Sequence, residues 1–159
     1  MEQSFTQPHT TSKAEQYRLF IKQLAALLEG ETDTTALLAN TCAALREAFG
    51  FFWVGFYLVK KDELALGPFQ GSVACMHIKK GQGVCGTAWA ECRTLVVPDV
   101  DQFPGHIACS SLSRSEIVVP LIRNGEVWGV LDIDSDRLAS FDDTDRNNLE
   151  KVAQLLNRE

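Results

Sequence analysis

Residues 105–135 read GHIACSSLSRSEIVVPLIRNGEVWGVLDIDS and contain the clearest structural signals in the chain. The stretch opens with a loop that carries Cys109, continues through an apolar run at residues 116–122, and turns at Asn124 and Gly125. An Asn-Gly pair between two β-branched runs predicts a β-hairpin, because both central residues of a type I′ turn need a positive φ. We therefore expect two antiparallel strands that meet at this turn.

Side chains alternate along the second strand of this hairpin. Asp132 and Asp134 fall on one face, and Leu131 and Ile133 fall on the other. Two residues at a rise of roughly 3.3 Å each place the two carboxylates about 6–7 Å apart. Glu116 begins the partner strand, and the loop thiol lies a few residues before it. A thiol beside three acids is the feature of this chain that most needs a chemical explanation.

The bulk composition limits the class of protein. A length of 159 residues suits one domain, and we expect residues 1–159 to form it, with residues 1–10 as a flexible tail. The formal net charge of −6 argues against nucleic-acid binding, which usually needs a basic patch. No apolar segment is long enough to span a bilayer, and we expect no secretory leader. The expected location is therefore the cytoplasm, with no membrane contact.

The remaining residues predict an α+β domain. The predicted elements are helices from Ser12 to Gly30 and from Asp33 to Gly50, strands at 51–59, 63–66, 73–78 and 94–97, a short helix reaching Cys92, a loop at 99–115, and a last helix after residues 141–143. Short connections and the Asn-Gly hairpin favour an antiparallel sheet. We expect helices on one face of this sheet and a loop-covered pocket on the other.

The strand at residues 51–59, FFWVGFYLV, is apolar on both faces and should be covered on both. Trp53 and Tyr57 flank Gly55 on one of these faces. Two large aromatic rings beside a glycine could leave a notch for a small apolar group. Ordinary core packing, with the glycine at a bulge or a close approach, explains the pattern equally well. The sequence leaves both interpretations open.

Five cysteines in a chain expected in a reducing compartment suggest redox, metal or catalytic use. Cys85 follows a glycine-rich loop, KGQGVCG at residues 80–86, which opens the short helix. A helix N-terminus lowers the pKa of a thiol, so Cys85 is a second candidate nucleophile beside Cys109. The same loop matches a dinucleotide-binding pattern only weakly, because the alternating βαβ context is missing. Cys42 lies inside the second helix and should be a buried packing residue.

Two alternatives would use the cysteines and histidines in other chemistry. The side chains concerned are Cys75, His77, Cys85, Cys92, His106 and Cys109. A structural zinc site is disfavoured, because no two of these cysteines have the C-x₂₋₄-C spacing of such sites. His106 with Cys109 resembles a protease pair, but a glycine- and serine-rich loop is a poor platform for one. We therefore predict no metal and no bound cofactor.

A redox interpretation uses more of the sequence. A nucleophilic thiol that takes an oxygen atom becomes a sulfenic acid, and a second thiol condenses with it to form a disulfide. Clustered acids raise one another's pKa, so one can donate a proton near neutral pH while another binds an ammonium group. A solvated strand end is the competing interpretation of Asp132 and Asp134.

Several motifs resemble those of the free methionine-R-sulfoxide reductases, a family built on a GAF domain. They are GPFQGSVAC, IKKGQGVCGTAW, VPDVDQFPGHIACSSLSRSEIVVPLI and GVLDIDS. The resemblance covers roughly residues 51–141. It implies a GAF-like fold, reduction of free rather than peptide-bound methionine-R-sulfoxide, and thioredoxin as the external reductant. By the same resemblance Cys109 is the nucleophile, Cys75 the main resolving thiol, and Cys85 a further redox thiol.

The resemblance also implies roles around the substrate. Trp53 and Tyr57 would box the methyl and thioether groups, and Glu116, Asp132 and Asp134 would bind the amino group and the sulfoxide oxygen. Backbone N–H groups after Glu116 would hold the substrate carboxylate. A GAF sensor that binds a small ligand without turnover is the alternative function. The sequence leaves the oligomeric state open, with a homodimer among the possibilities.

Overall fold

The computed structural model describes residues 4–7, 12–107 and 109–157. Its elements are α1 (Lys13–Leu28), α2 (Thr34–Phe49), β1 (Trp53–Lys60), β2 (Glu63–Gln70), β3 (His77–Lys79), α3 (Gly83–Glu91), β4 (Leu95–Val97), a 3₁₀ turn (Val100–Gln102), β5 (Ser115–Arg123), β6 (Glu126–Ser135) and α4 (Asp143–Leu155). The six strands form one antiparallel sheet in the order β3-β2-β1-β6-β5-β4. Among the described residues no helix is both long and apolar enough to cross a membrane.

The helix ends follow the predicted capping signals. Ser12 accepts a hydrogen bond from the N–H of Glu15, and Asp33 caps α2 in the same way through Ala36. Gly50 ends α2 with a φ of 64°, a left-handed conformation that glycine adopts without strain. The side chain of Glu15, in the first turn of α1, pairs with Arg18.

The predicted hairpin is confirmed. β5 and β6 meet at Asn124 and Gly125, whose φ values of 52° and 79° fit a type I′ turn. Leu131 and Ile133 of β6 are fully buried against the helices, as their alternation indicates. Asp132 therefore has to lie on the opposite face of the sheet.

Each face of the sheet is covered by its own apolar cluster. The first cluster joins α1, α2 and α4 to side chains such as Val54, Phe56 and Ile117. The second cluster joins α3 to side chains such as Trp53 and Val118. The predicted layer of helices on one face is present, and the short helix α3 lies on the other face. The apolar residues of α3 pack on the face that also carries the acids.

Two strand predictions need correction. β2 runs on to Gln70, through residues that were predicted as a loop, because a bulge opposite Phe56 accommodates Pro68. A proline, which lacks an N–H, is tolerated at a bulge. The strand predicted at residues 73–78 shortens to β3, and residues 72–76 lie outside any strand.

The structure describes residues 4–7 of the segment predicted as a flexible tail. Phe5 is only 4% exposed and packs edge-on against Phe20, with 5.8 Å between ring centroids. Its backbone N–H donates to the carboxylate of Glu47 at 3.2 Å. The aromatic side chain of Phe5 therefore packs into the core, although its neighbours in the sequence are polar. The rest of the predicted tail, residues 1–3 and 8–10, lies outside the described residues.

Candidate active site

The predicted site residues come together around one cavity. It lies between α3, the loop before β5, the segment before β3, and one face of the sheet. The predicted residues that line it are Trp53, Tyr57, Cys85, Cys109, Glu116, Asp132 and Asp134. Cys75 joins this group through a disulfide bond to Cys109. The two cysteines are 34 positions apart in the chain, and their Cα atoms are 5.4 Å apart.

The three carboxyl groups reach the cavity from the central hairpin. Glu116 of β5 pairs directly with Asp134 of β6, and Asp132 lies two residues before Asp134 on the same face of the strand. Glu116 and Asp132 are only 6% and 5% exposed. Burial raises the pKa of all three carboxyl groups. Negative charge on Asp132 raises the pKa of Glu116 and Asp134 further.

Asp132 differs from its two neighbours. Burial raises its pKa, but hydrogen bonds from Glu116 and Cys85 and the nearby His106 act in the opposite direction. Asp132 is thus the acid of the three whose negative charge receives the most support from its neighbours. Its Oδ1 atom is buried and has no hydrogen-bond partner among the described residues. A buried acceptor without a partner is costly unless a ligand supplies a donor.

The pKa predicted for Cys85 was wrong in direction. The thiol does lie in the first turn of α3, but it is 4% exposed and faces the acids of the sheet. Burial, and then the negative charges of Asp132, Glu116 and Asp134, raise the pKa of Cys85 well above its usual value. Desolvation and like charge outweigh the helix N-terminus here.

The other two free thiols lie away from the cavity. Cys42 is buried in α2, and burial raises its pKa to about 12. It donates a hydrogen bond to the carbonyl oxygen of Pro68 at 3.4 Å, so the predicted packing role fits. Cys92 is exposed at the end of α3.

The aromatic residues of β1 form one wall of the cavity. The space above Gly55 is not an open notch, because a Cβ there would lie 2.4 Å from Phe69 and 2.6 Å from the indole of Trp53. Trp53 stacks on Phe69 with 5.3 Å between centroids and on Tyr57 with 6.2 Å. The lack of a side chain at Gly55 therefore makes room for these packed rings. The rings of Trp53 and Tyr57 still line the cavity.

The same two aromatic residues donate hydrogen bonds to the segment that carries Cys75. The indole Nε1–H of Trp53 donates to the carbonyl oxygen of Ser72, and the hydroxyl of Tyr57 donates to that of Cys75, each at 2.9 Å. These bonds could not be predicted from residue types, because both acceptors are backbone carbonyl oxygens.

Two further points concern polar groups near the acids. From the sequence, His106 was a candidate zinc ligand or a partner for Cys109, whereas in the structure its Nε2 lies 3.8 Å from Oε1 of Glu116. The N–H groups after Glu116 are less available than expected, because Ile117 and Val118 pair with strands on both sides. They face neighbouring strands rather than the cavity.

A metal-like set of donors is also present. One ligand atom each from Cys85, Glu116 and Asp132 lies within 4.8 Å of the others. These residues come from α3, β5 and β6, so spacing along the sequence could not reveal the set. All three are buried, and the hydrogen bonds among them also account for the arrangement.

The chain is similar to known proteins over most of its length. A family model for the GAF domain matches residues 33–159. GAF domain-containing protein A of Dictyostelium discoideum is 59% identical over 146 residues, which is 91% of this chain and 92% of that protein. The free methionine-R-sulfoxide reductase of Escherichia coli (strain K12) is 48% identical over 146 residues, 91% of this chain and 88% of that protein.

A solved structure is similar over nearly the whole chain. The free methionine-R-sulfoxide reductase of Neisseria meningitidis, in complex with its substrate, superposes with a TM-score of 0.94 at 54% identity. The match covers 98% of this chain and 93% of that one. The fold and these matches define a GAF domain, and the predicted α+β GAF fold is confirmed. Within the GAF domain family, this chain belongs with the free methionine-R-sulfoxide reductases.

Proposed function

We propose that this protein reduces free methionine-R-sulfoxide to methionine, with Cys109 as the nucleophile. The observation that carries the proposal is the shared cavity, in which the Cys75–Cys109 disulfide lies beside the buried carboxyl groups of Glu116 and Asp132 and the half-buried one of Asp134. A sulfoxide needs both a soft nucleophile for its sulfur and a proton for its oxygen. The cavity offers the two together.

In the first step the thiol of the reduced Cys109 attacks the sulfoxide. The sulfoxide oxygen is transferred to Cys109, which becomes a sulfenic acid, and the substrate leaves as methionine, so atoms and electrons balance. Glu116 or Asp134 donates a proton to the sulfoxide oxygen as the S–O bond breaks, and the proton of the thiol replaces it. Their raised pKa values keep these carboxyl groups protonated at higher pH than usual.

In the second step the thiol of Cys75 attacks the sulfenic acid sulfur. A disulfide forms and one water molecule leaves, which yields the Cys75–Cys109 bond seen in this structure. Thioredoxin, an external dithiol, then reduces this disulfide and becomes oxidised itself. Cys85 is a further redox thiol in this proposal, although its high pKa makes it a slow nucleophile.

The substrate amino group is proposed to bind Asp132. An ammonium group would supply the donor that Oδ1 of Asp132 lacks. Trp53 and Tyr57 would hold the methyl and thioether groups against their rings. No metal or bound cofactor takes part in the proposed reaction.

The cellular location, the domain organisation and the oligomeric state are part of the same proposal. We place the protein in the cytoplasm, where thioredoxin is available and a catalytic disulfide can be recycled. We treat residues 1–159 as one domain, and a homodimer remains a prediction. The alternative function, a GAF sensor without turnover, predicts that no methionine is released.

A single-turnover experiment tests the proposal. Protein reduced and then freed of reductant is mixed with excess free methionine-R-sulfoxide, and methionine is counted per chain. The wild type and Cys75→Ser should each release about one methionine, because only the first step is needed. Cys109→Ser should release none. Cys42→Ser is the matched control and should behave as the wild type.

Two results would overturn the assignment. Methionine release by Cys109→Ser would move the nucleophile to another thiol, with Cys85 as the first candidate. No release by the folded wild type would leave the sensor function as the better explanation.

A further inference from the structure

We infer that Tyr57, with support from Trp53, is a positioning residue for the second step of the reaction. The two side chains hold the segment at residues 72–76 so that Cys75 meets the sulfenic acid of Cys109. This inference rests on the proposed function, because the second step exists only if the first one does. Tyr57 and Trp53 are also proposed to contact the substrate. The positioning role is separate, because it acts through the backbone of Cys75.

The hydrogen bonds fall at both ends of the segment. The hydroxyl of Tyr57 donates to the carbonyl oxygen of Cys75 itself, at 2.9 Å. The indole Nε1–H of Trp53 donates to the carbonyl oxygen of Ser72, also at 2.9 Å. Because residues 72–76 belong to no strand, these bonds take the place of a β-ladder. They fix the backbone on both sides of the thiol.

Two side chains of the segment do not anchor it, because Val73 is 85% exposed and Met76 is 69% exposed. Ala74 and Cys75 are half-buried and pack against the apolar cluster on the α3 side of the sheet. The carbonyl oxygen of Met76 accepts a further hydrogen bond from the N–H of Leu66 on β2, at 2.9 Å. Backbone carbonyl groups held by donors from the sheet therefore act together with this packing to set the position of Cys75.

The donors are themselves rigid. Trp53 and Tyr57 are 4% and 2% exposed and belong to a strand that pairs on both sides. A Cβ at Gly55 or Gly71 would come within 2.6 Å and 2.4 Å of the indole of Trp53, so the ring fills the space that these glycines leave. A fixed donor restricts its acceptor more than a mobile one does.

The segment that carries Cys109 is held differently. Backbone hydrogen bonds in residues 103–113 run between neighbours, such as Cys109 to Ile107 at 3.1 Å and His106 to Phe103 at 3.2 Å. These short-range bonds, among the described residues of 103–113, shape a loop, and the side chain of His106 lies 3.8 Å from Glu116 on β5. Of the two cysteines of the disulfide, Cys75 is thus the one whose own carbonyl group accepts a hydrogen bond from a side chain of the sheet.

The variant Tyr57→Phe tests this role, because it keeps the ring and removes only the hydroxyl. The measured quantity is the rate of disulfide formation divided by the rate of methionine release, in one turnover with thioredoxin left out. Losing one hydrogen bond should lower this ratio roughly five- to tenfold. The longer-lived sulfenic acid should be trapped more fully by dimedone, a reagent for that group. Trp53→Phe is the second variant and should act in the same direction.

Tyr17→Phe is the matched control. Tyr17 is also fully buried, and its hydroxyl donates to Asp145 at 2.6 Å. It belongs to the apolar cluster of α1, α2 and α4, on the face of the sheet opposite the cavity. Losing this bond should reduce stability and leave the ratio as in the wild type. A ratio in Tyr57→Phe equal to that of the control would overturn the inference. A raised KM with an unchanged ratio would do the same, and would limit Tyr57 to substrate contact.

A second measurement separates this inference from the proposed function. Hydrogen peroxide oxidises a thiol to a sulfenic acid and is itself reduced to water, so it reaches the same intermediate without methionine sulfoxide. Formation of the Cys75–Cys109 disulfide after peroxide should be slower in Tyr57→Phe than in Tyr17→Phe. If the wild type releases no methionine but this difference persists, only the proposed substrate is wrong. If the difference is absent, the positioning role is wrong.

Discussion

Glu116 and Asp134 lie directly opposite each other on neighbouring strands, so two carboxyl groups occupy one cross-strand pair of the sheet. Like charges at such positions destabilise a sheet, and burial adds to the cost of ionising either group. Burial and the charge on Asp132 raise the pKa of both acids well above the usual value. The site therefore has an energetic cost that grows as its acids lose their protons.

This arrangement predicts how stability depends on pH. Because the folded pKa of Asp134 lies above the unfolded value of about 3.9, the neutral carboxyl group favours folding. That contribution is complete below about pH 4 and is lost as the pH rises through the raised folded pKa. Relative to Asp134→Asn, the wild type should lose free energy of unfolding between about pH 4 and neutral pH.

Denaturant unfolding at several pH values measures this difference. Asp62→Asn, which changes an exposed acid in the turn between β1 and β2, is the control and should follow the wild type at every pH. Parallel curves for the wild type and Asp134→Asn would show that Asp134 is not held protonated by the fold.

A second prediction concerns catalysis by the same acids. Glu116→Gln and Asp134→Asn should each lower kcat/KM by about 10²–10⁴, the usual effect of losing a positioned proton donor. The loss should fall mainly on kcat, since the proton is needed as the S–O bond breaks. Steady-state rates with free methionine-R-sulfoxide would measure both constants, with Asp62→Asn again as the control. A higher KM at unchanged kcat would indicate that these acids only bind the amine.

Much of the sheet could be predicted because its signals are local. The alternation that separates Asp132 from Ile133, and the positive φ that the Asn-Gly turn requires, depend on neighbours along the chain. The groups that surround Cys85, by contrast, come from distant parts of the sequence. Its helix was predicted correctly, but the acids that raise its pKa come from β5 and β6, more than thirty residues further on.

The segment before β3 failed as a prediction for a related reason. Residues 73–78 have the apolar character of a strand, yet Val73 and Met76 point into solvent. The side chains of Trp53 and Tyr57 bind the backbone of this segment and replace a neighbouring strand. A pattern of residue types cannot report which backbone carbonyl groups a distant side chain will bind.

A third prediction follows from the corrected pKa of Cys85. In the disulfide-bonded protein at neutral pH, iodoacetamide should label the exposed Cys92 first and label Cys85 and Cys42 much more slowly. The thiolate is the reactive form, and burial raises the pKa of both slow thiols. Mass spectrometry of the labelled peptides would give the three rates. Protein unfolded in urea is the control, in which all three thiols should react alike, whereas rapid labelling of native Cys85 would contradict its high pKa.

We expect the cavity to select the free amino acid methionine sulfoxide, and only its R epimer. In a peptide the amino group becomes an amide and loses its charge, so Asp132 would lose its proposed partner at a cost of several kcal/mol. In the S epimer the oxygen and methyl positions are exchanged, which would put the methyl group against the acids and the oxygen against the rings of Trp53 and Tyr57. Both changes leave buried polar groups unpaired, and this penalises binding strongly.

The most direct test gives the reduced protein, with thioredoxin and its reductase, racemic free methionine sulfoxide or an N-acetylated, C-amidated analogue. Chiral chromatography follows each epimer. The free R epimer should be converted to methionine while the S epimer remains, and the blocked R analogue should react at least about 10³-fold more slowly. Comparable rates on the free and blocked substrates, or equal consumption of both epimers, would contradict it.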